Sequence, residues 1–182
     1  MINDIERVLV SEKDIDEITT RLATEITRDY KDSSRDLVLV CILKGSLMFM
    51  TELMKKINLP LQIDFMKVSS YGAGSVSTGK LNVQLDLNKD DLKNTDLLII
   101  EDIIDSGNTL SKLVAMLKER EVGSIKTCTL LDKPERRVVD FDPDYVGTVI
   151  PDEFVVGFGL DYAEKYRNLP YIGVLKPSVY NK

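Results

Sequence analysis

Two stretches of the chain, Leu37–Leu43 (LVLVCIL) and Leu97–Ile100 (LLII), are apolar at every position. A strand with one face in water alternates apolar and polar residues. An uninterrupted run is what a strand covered on both faces requires. Beyond each run the spacing changes to that of a helix: Leu47, Met50, Leu53, Met54 and Ile57 after the first, Leu110, Leu113, Val114 and Leu117 after the second. Strands that alternate with helices predict an α/β chain with a mostly parallel central sheet flanked by helices and joined by right-handed crossovers. In such sheets ligands sit beyond the carboxyl ends of the strands, so motifs placed there carry functional weight.

The remaining elements follow from local signals. Ser11 and Asp14 have the spacing of a capping box, and Ile15, Ile18, Leu22, Ile26 and Tyr30 recur at helical intervals, which predicts one amphipathic helix over Glu12–Tyr30. Residues 61–68 and 81–87 alternate as half-solvated strands, with a polar, Gly-rich loop over Ser69–Lys80 between them. Further strands are expected over Ile125–Leu131 and Tyr145–Val149, with short ones near 154–157 and 171–175. No repeat or Pro/Ser-rich linker divides the 182 residues, so one domain over 1–182 is expected.

Composition narrows the chemistry. The chain has no His and no Trp and only two Cys, Cys41 and Cys128. That excludes Ser-His-Asp and Cys-His nucleophile systems, His-based zinc sites and Cys-rich clusters. Any metal must be held mainly by oxygen, which points to Mg²⁺ or Mn²⁺. Both cysteines lie in apolar, strand-like runs and read as buried, reduced thiols. With 24 Lys+Arg against 30 Asp+Glu the net charge is −6, which argues against a broad surface for nucleic acid or anionic membrane. The first residues lack the pattern of a signal peptide, and the longest apolar run, seven residues, is far short of a membrane span. A cytoplasmic location is expected.

The most informative segment runs from Glu101 to Thr109 (EDIIDSGNT). A buried strand reads as ending in two adjacent acids, a short turn with Gly107 follows, and a helix begins near Thr109. Backbone N–H groups at such a junction converge on one point, and the helix dipole favours an anion there. Ser106, Gly107, Asn108 and Thr109 suit a phosphate monoester. The carboxylates of Glu101, Asp102 and Asp105 could bind sugar hydroxyls, hold a cation or take a proton; a capped turn with solvated acids is the plainer alternative. Leu43-Lys44-Gly45-Ser46 is a second strand-to-helix junction able to seat an anion. Gly74–Lys80 nearly matches the nucleotide-binding P-loop pattern, but Leu81 stands where a Ser or Thr should bind magnesium, and a strand pattern follows it, so that reading is rejected.

Glu101–Thr109 resembles the phosphoribosyl-diphosphate signature of the type I phosphoribosyltransferases, and the chain is similar to the hypoxanthine-guanine members of that family. The likeness extends in order through Leu43–Ser46, Ser69-Ser70-Tyr71-Gly72, Leu131-Asp132-Lys133-Pro134 and Glu153–Tyr162. It implies that family's fold, with a small hood contributed by roughly 1–10 and 150–182. It also implies an enzyme that transfers the 5-phosphoribosyl group from 5-phosphoribosyl 1-diphosphate to hypoxanthine or guanine, giving IMP or GMP and diphosphate in purine salvage. Asp105 is then the catalytic base near N7 of the purine, and Asp105, Ser106, Gly107, Asn108 and Thr109 hold the 5-phosphate. Lys44, Gly45 and Arg167 hold the diphosphate, with a cis peptide at Leu43–Lys44. Glu101 and Asp102 serve the ribose and Mg²⁺, and Asp161 serves a second Mg²⁺. Lys133 donates to the 6-oxo group, Phe154 stacks on the base, and the backbone of Val155 reads its edge. Ser70 and Tyr71 belong to a lid. Arg136 and Arg137 match no motif. Partners are the small-molecule substrates, without nucleic acid or membrane, and a homodimer or homotetramer is implied. A xanthine-preferring transferase and a non-catalytic phosphoribosyl-diphosphate-binding regulator remain as alternatives.

Overall fold

The structure, a computed structural model, describes residues 1–70 and 81–181. Nine strands occur among them: β1 (Ile5–Val10), β2 (Asp36–Ile42), β3 (Gln62–Ser70), β4 (Leu81–Leu85), β5 (Thr95–Ile104), β6 (Ser124–Asp132), β7 (Tyr145–Val149), β8 (Val155–Val156) and β9 (Ile172–Leu175). The helices are α1 (Glu12–Tyr30), α2 (Leu47–Met54), α3 (Asn108–Lys118) and the single-turn α4 (Pro177–Tyr180). A six-stranded sheet has the order β4-β3-β2-β5-β6-β7. Every pairing in it is parallel except β3 with β4.

The apolar runs are explained by what covers the sheet. In β2, Leu37, Leu39 and Cys41 join the core beneath α1 and α2, while Val38, Val40 and Ile42 join the core beneath α3. In β5, Leu98 and Ile100 take the first side and Leu97 and Ile99 the second. Successive side chains of a strand face opposite ways, so both parities must be apolar where both faces are covered. Cys41 and Cys128 are free and buried in the first core, and burial pushes both thiols up.

Helix α1 has the expected bounds. Ser11 accepts from the Asp14 N–H, and the Asp14 carboxylate accepts in return from the Ser11 N–H at 2.9 Å. Two expectations are corrected. The strand expected over Leu97–Ile100 runs on to Ile104, so Glu101 and Asp102 lie within β5 and not at its end. Their neighbours on β6 continue the pairing, Glu101 opposite Thr129 and Ile103 opposite Leu131. Helix α2 stops at Met54, and Ile57 is buried beyond it.

A separate antiparallel sheet, order β1-β9-β8, forms the hood from the two terminal segments. The main sheet positions the site. Successive connections run from β2 outward to β3 on one side and from β5 outward to β6 and β7 on the other. The crevice between the carboxyl ends of β2 and β5 is therefore the topological switch point. Among the described residues no helix is long and apolar enough to cross a membrane.

Candidate active site

Three strand ends meet in this crevice. After β2 the chain turns through Leu43–Ser46 with a cis peptide between Leu43 and Lys44. Gly45 lies so close to β5 that a Cβ there would fall 1.6 Å from Asp102 Oδ2. On its other side the hood approaches: a Cβ on Gly159, whose φ is +101°, would fall 1.9 Å from the Gly45 carbonyl oxygen. Only glycine permits either approach.

After β5 the chain makes the expected turn. Gly107 has φ +79°, and α3 begins at Asn108 with no side-chain cap. Its Asn108 N–H reaches Ser106 Oγ only at 3.3 Å. Helix α1 closes its own N-terminus with Ser11 and Asp14, whereas α3 leaves its first-turn N–H groups open to an external anion. A cavity of about 170 Å³ lies in front of this turn, lined by Glu101, Ile103, Asp105, Ser106, Gly107 and Thr109 among others. Val68 of β3 borders it, and Ser70 ends that strand. Tyr71 and the stretch Gly74–Lys80 lie outside the described residues.

A second cavity, about 370 Å³, lies on the hood side, and Asp105, Lys133, Phe154, Val155 and Tyr180 are among its lining residues. Lys133 follows directly on β6, which runs one residue further than expected, and is 8% exposed. Its Nζ donates to the Glu153 carbonyl at 2.7 Å and lies 3.5 Å from Asp152. The Phe154 ring is 40% exposed, with Tyr180 stacked on it and Tyr162 at its edge. Ile103 and Asp105 border both cavities, so Asp105 lies between them.

The charges are arranged in pairs. Loss of solvent pushes the Glu101 carboxyl well up, and the neighbouring Asp102 charge pushes the same way. Burial also raises Asp102, offset in part by hydrogen bonds from Glu101 and the Ile103 N–H and by the Arg167 charge. Two oxygen-donor acids held up in this way are a fitting seat for a hard cation, which would return both to the charged form. No group of three or more His, Cys, Asp or Glu gathers among the described residues, so substrate oxygens would complete the coordination. Asp161 does not join that pair. It accepts from the Glu164 N–H at 2.9 Å and from Arg167 Nη2 at 2.8 Å. Arg167 also donates to the Gly159 carbonyl at 2.8 Å.

Three residues emerge that the sequence left without a role. Arg136 Nε donates to Asp105 Oδ1 at 2.6 Å, and its Nη1 reaches Asp152 at 3.1 Å. Arg137 Nη2 pairs with Asp132 at 2.6 Å and its Nη1 donates to the Asp105 carbonyl, bracing the turn from below. Glu164 accepts from Lys44 Nζ at 2.9 Å and from Arg167 Nη2 at 3.4 Å. The dipeptide Arg136-Arg137 follows the Lys133-Pro134 motif directly and was the available signal for the first two. Nothing local marks Glu164.

The phosphoribosyl transferase domain model matches residues 11–163. The chain belongs to the phosphoribosyltransferase family. It is 54% identical to the hypoxanthine-guanine phosphoribosyltransferase of Staphylococcus epidermidis, over all of both chains. It is 52% identical over all its residues to the bifunctional protein TilS/HprT of Listeria monocytogenes, of which it spans 28%. A crystal structure of a hypoxanthine phosphoribosyltransferase from Staphylococcus aureus superposes with a TM-score of 0.93 at 52% identity, covering 100% of this chain and 97% of that one. For this phosphoribosyltransferase the uncapped turn, the acid pair and the second cavity with its Lys133 and Phe154 fall on the motifs that carried the resemblance.

Proposed function

We propose that this phosphoribosyltransferase moves the 5-phosphoribosyl group of 5-phosphoribosyl 1-diphosphate onto N9 of hypoxanthine or guanine, releasing diphosphate. The observation that carries the reading is the position of Asp105, between a cavity that ends on the open α3 N-terminus and one that has an aromatic wall and a buried lysine. The 5-phosphate fits the N–H groups of Ser106–Thr109. The base fits the second cavity, where Lys133, a donor only, pairs with a 6-oxo group and offers nothing to a 6-amino group. Phe154 supplies the stacking face, and Val155, buried in β8, supplies the backbone beside the base edge.

The anomeric carbon is then held near the junction of the two cavities. Bond breaking there runs ahead of bond making, so the residues that matter most receive the leaving group. Lys44 and Arg167 neutralise the diphosphate, and the Gly45 turn lets it approach the backbone. Glu101 and Asp102 accept from ribose hydroxyls and would hold Mg²⁺, with Asp161 at a second ion. Bound there, Mg²⁺ supplies charge neutralisation at the diphosphate oxygens. Asp105 accepts the N7 proton as N9 attacks, a contribution worth about 10²–10⁴-fold.

Homo-oligomerisation, a cytoplasmic location and an organisation as one domain with its hood belong to the same proposal. The buried free thiols fit a reducing compartment such as the cytoplasm. The test mixes the protein with Mg²⁺, 5-phosphoribosyl 1-diphosphate and, in turn, hypoxanthine, guanine, xanthine or adenine, following nucleotide formation by absorbance. Turnover of the first two and not of adenine is expected. Turnover of xanthine alone would replace the substrate assignment, and no turnover with any base would remove the catalytic one. In Asp105→Asn, turnover falls about 10²–10⁴-fold with nucleotide affinity nearly intact; an unchanged rate would dismiss the base assignment.

A further inference from the structure

The purine platform is incomplete if it is read as Phe154 alone. That ring stands on the residue before the two-residue strand β8 and is 40% exposed at the cavity wall. Nothing in so short an element fixes the ring. Two other rings do. Tyr180 stacks on Phe154 with centroids 4.9 Å apart and planes 24° from parallel. Tyr162 meets it edge-on at 5.7 Å and 87°. Both are favourable aromatic geometries.

Tyr180 is itself firmly placed. It ends the single turn α4, whose first residues are tied to the opposite terminal segment. The Lys176 N–H donates to the Asp4 carbonyl at 2.9 Å, and its Nζ donates to the Asn3 carbonyl at 2.7 Å. Val179 and Tyr180 pack on the hood core of Val156, Tyr166, Leu169 and Leu175. The Tyr180 hydroxyl makes no hydrogen bond among the described residues, so what it contributes is its ring. That ring also lines the cavity that holds Asp105, Lys133 and Phe154.

The geometry points to Tyr180 as a purine-positioning residue. Its ring backs one face of Phe154 and leaves the other face to the base, giving an offset stack of base, Phe154 and Tyr180. This deepens the proposed function and rests on it. Fixing Phe154 before the base arrives removes the ordering cost that a free ring would carry into binding. The effect belongs to the base and not to 5-phosphoribosyl 1-diphosphate, which binds on the far side of Asp105.

The test compares steady-state kinetics of the full chain with those of Tyr180→Ala, Tyr180→Leu and Tyr180→Phe, with hypoxanthine and 5-phosphoribosyl 1-diphosphate varied separately. Tyr180→Leu keeps apolar packing against Val156 and Tyr166 while removing the π-face, so it guards against a variant that merely fails to fold; thermal melts of each variant check that. KM for hypoxanthine is expected to rise roughly 3- to 10-fold in the Ala and Leu variants. KM for 5-phosphoribosyl 1-diphosphate and kcat stay put, and Tyr180→Phe restores the parent value. A KM for the base that is unchanged in folded Tyr180→Leu overturns the inference. So does one that falls, which would mean that the ring covers the face the base takes, and so does a Phe variant as impaired as the Leu one. If the parent chain turns over no purine at all, it is the proposed function that fails, and this inference falls with it.

Discussion

Glu164 pairs with both cations that the proposed function assigns to the departing diphosphate. Its carboxylate sits 2.9 Å from Lys44 Nζ and 3.4 Å from Arg167 Nη2. The hydrogen bond from Lys44, then that from Arg167, holds it below the usual carboxylate range. The Glu164 side chain is 67% exposed, so the pair with Lys44 is solvent-screened and cheap to break. A diphosphate carries more charge and more acceptor oxygens than one carboxylate, and under the proposed function it competes with Glu164 for both cations. Glu164→Gln is therefore expected to lower KM for 5-phosphoribosyl 1-diphosphate a few-fold while KM for the base is constant. Initial rates over a range of the diphosphate check this, and an unaltered KM removes the competition. Residues of this kind are the least legible in a sequence. Asp105 and Gly107 lie in a motif where each neighbour limits the reading. Glu164 acquires its role only because the Gly157–Gly159 turn, with φ values of +100° and +101° at its glycines, folds its loop onto the Lys44–Gly45 turn.

At the scale of elements, two helix starts show what a sequence can and cannot disclose. Ser11 and Asp14 close α1 reciprocally, so its beginning was readable from two residues three apart. The α3 start offers no such pair; Gly107 and the small residues around it mark the junction in the sequence, whereas the absence of a side-chain cap is seen only in the folded turn. Strand β5 was read four residues short at its carboxyl end because acids mark the surface in most contexts, whereas here β6 continues to pair with them. Strand β1 gave no strand signal, since residues 5–10 are mostly solvent-facing and exist as a strand only through pairing with β9, some 160 residues later. The α3 turn is where an element-scale substitution separates binding from folding. Gly107 has φ +79°, and a Cβ there would lie 2.9 Å from Arg137 Cδ and from Val139 Cγ2. Gly107→Ala is expected to cost about 1–2 kcal/mol of stability through the left-handed backbone alone. Ribose 5-phosphate is expected to raise the melting temperature of the parent chain and not that of this variant. A variant still stabilised by that ligand would show that the phosphate is held elsewhere.

For the molecule as a whole, the sheet divides its labour end to end. Its carboxyl edge carries open N–H groups and raised acids, which make a site and cost stability. The opposite edge carries a satisfied polar cluster. There Asp96, 2% exposed at the start of β5, accepts from Ser124, which opens β6, and from Arg35 at 3.1 Å and Ser33, both in the link between α1 and β2. Burial pushes the Asp96 carboxyl up, but the hydrogen bonds from Ser124, Ser33 and Arg35 outweigh it and hold it below the usual carboxylate range. The sign follows from linkage: the folded chain binds this proton more weakly than the unfolded one. The stabilisation is therefore complete above the unfolded value, near pH 4, and is lost as pH falls through the folded one. Asp29, held down chiefly by the Tyr145 hydroxyl, and Asp86, held down chiefly by Arg120, act in the same direction. Urea midpoints are expected to drop steeply below pH 4; between pH 7 and pH 5 the raised Glu101 and Asp102 act in the opposite direction, so no fall is expected there. Asp96→Asn should lower the pH 7 midpoint by the equivalent of about 1–3 kcal/mol and make the acid limb shallower. Because Asp96 and Asp105 are separated by most of a strand, roughly 30 Å at 3.3 Å per residue, kcat at neutral pH should be unchanged in that variant. A fall in kcat without a fall in stability would mean that the two edges of the sheet are not independent.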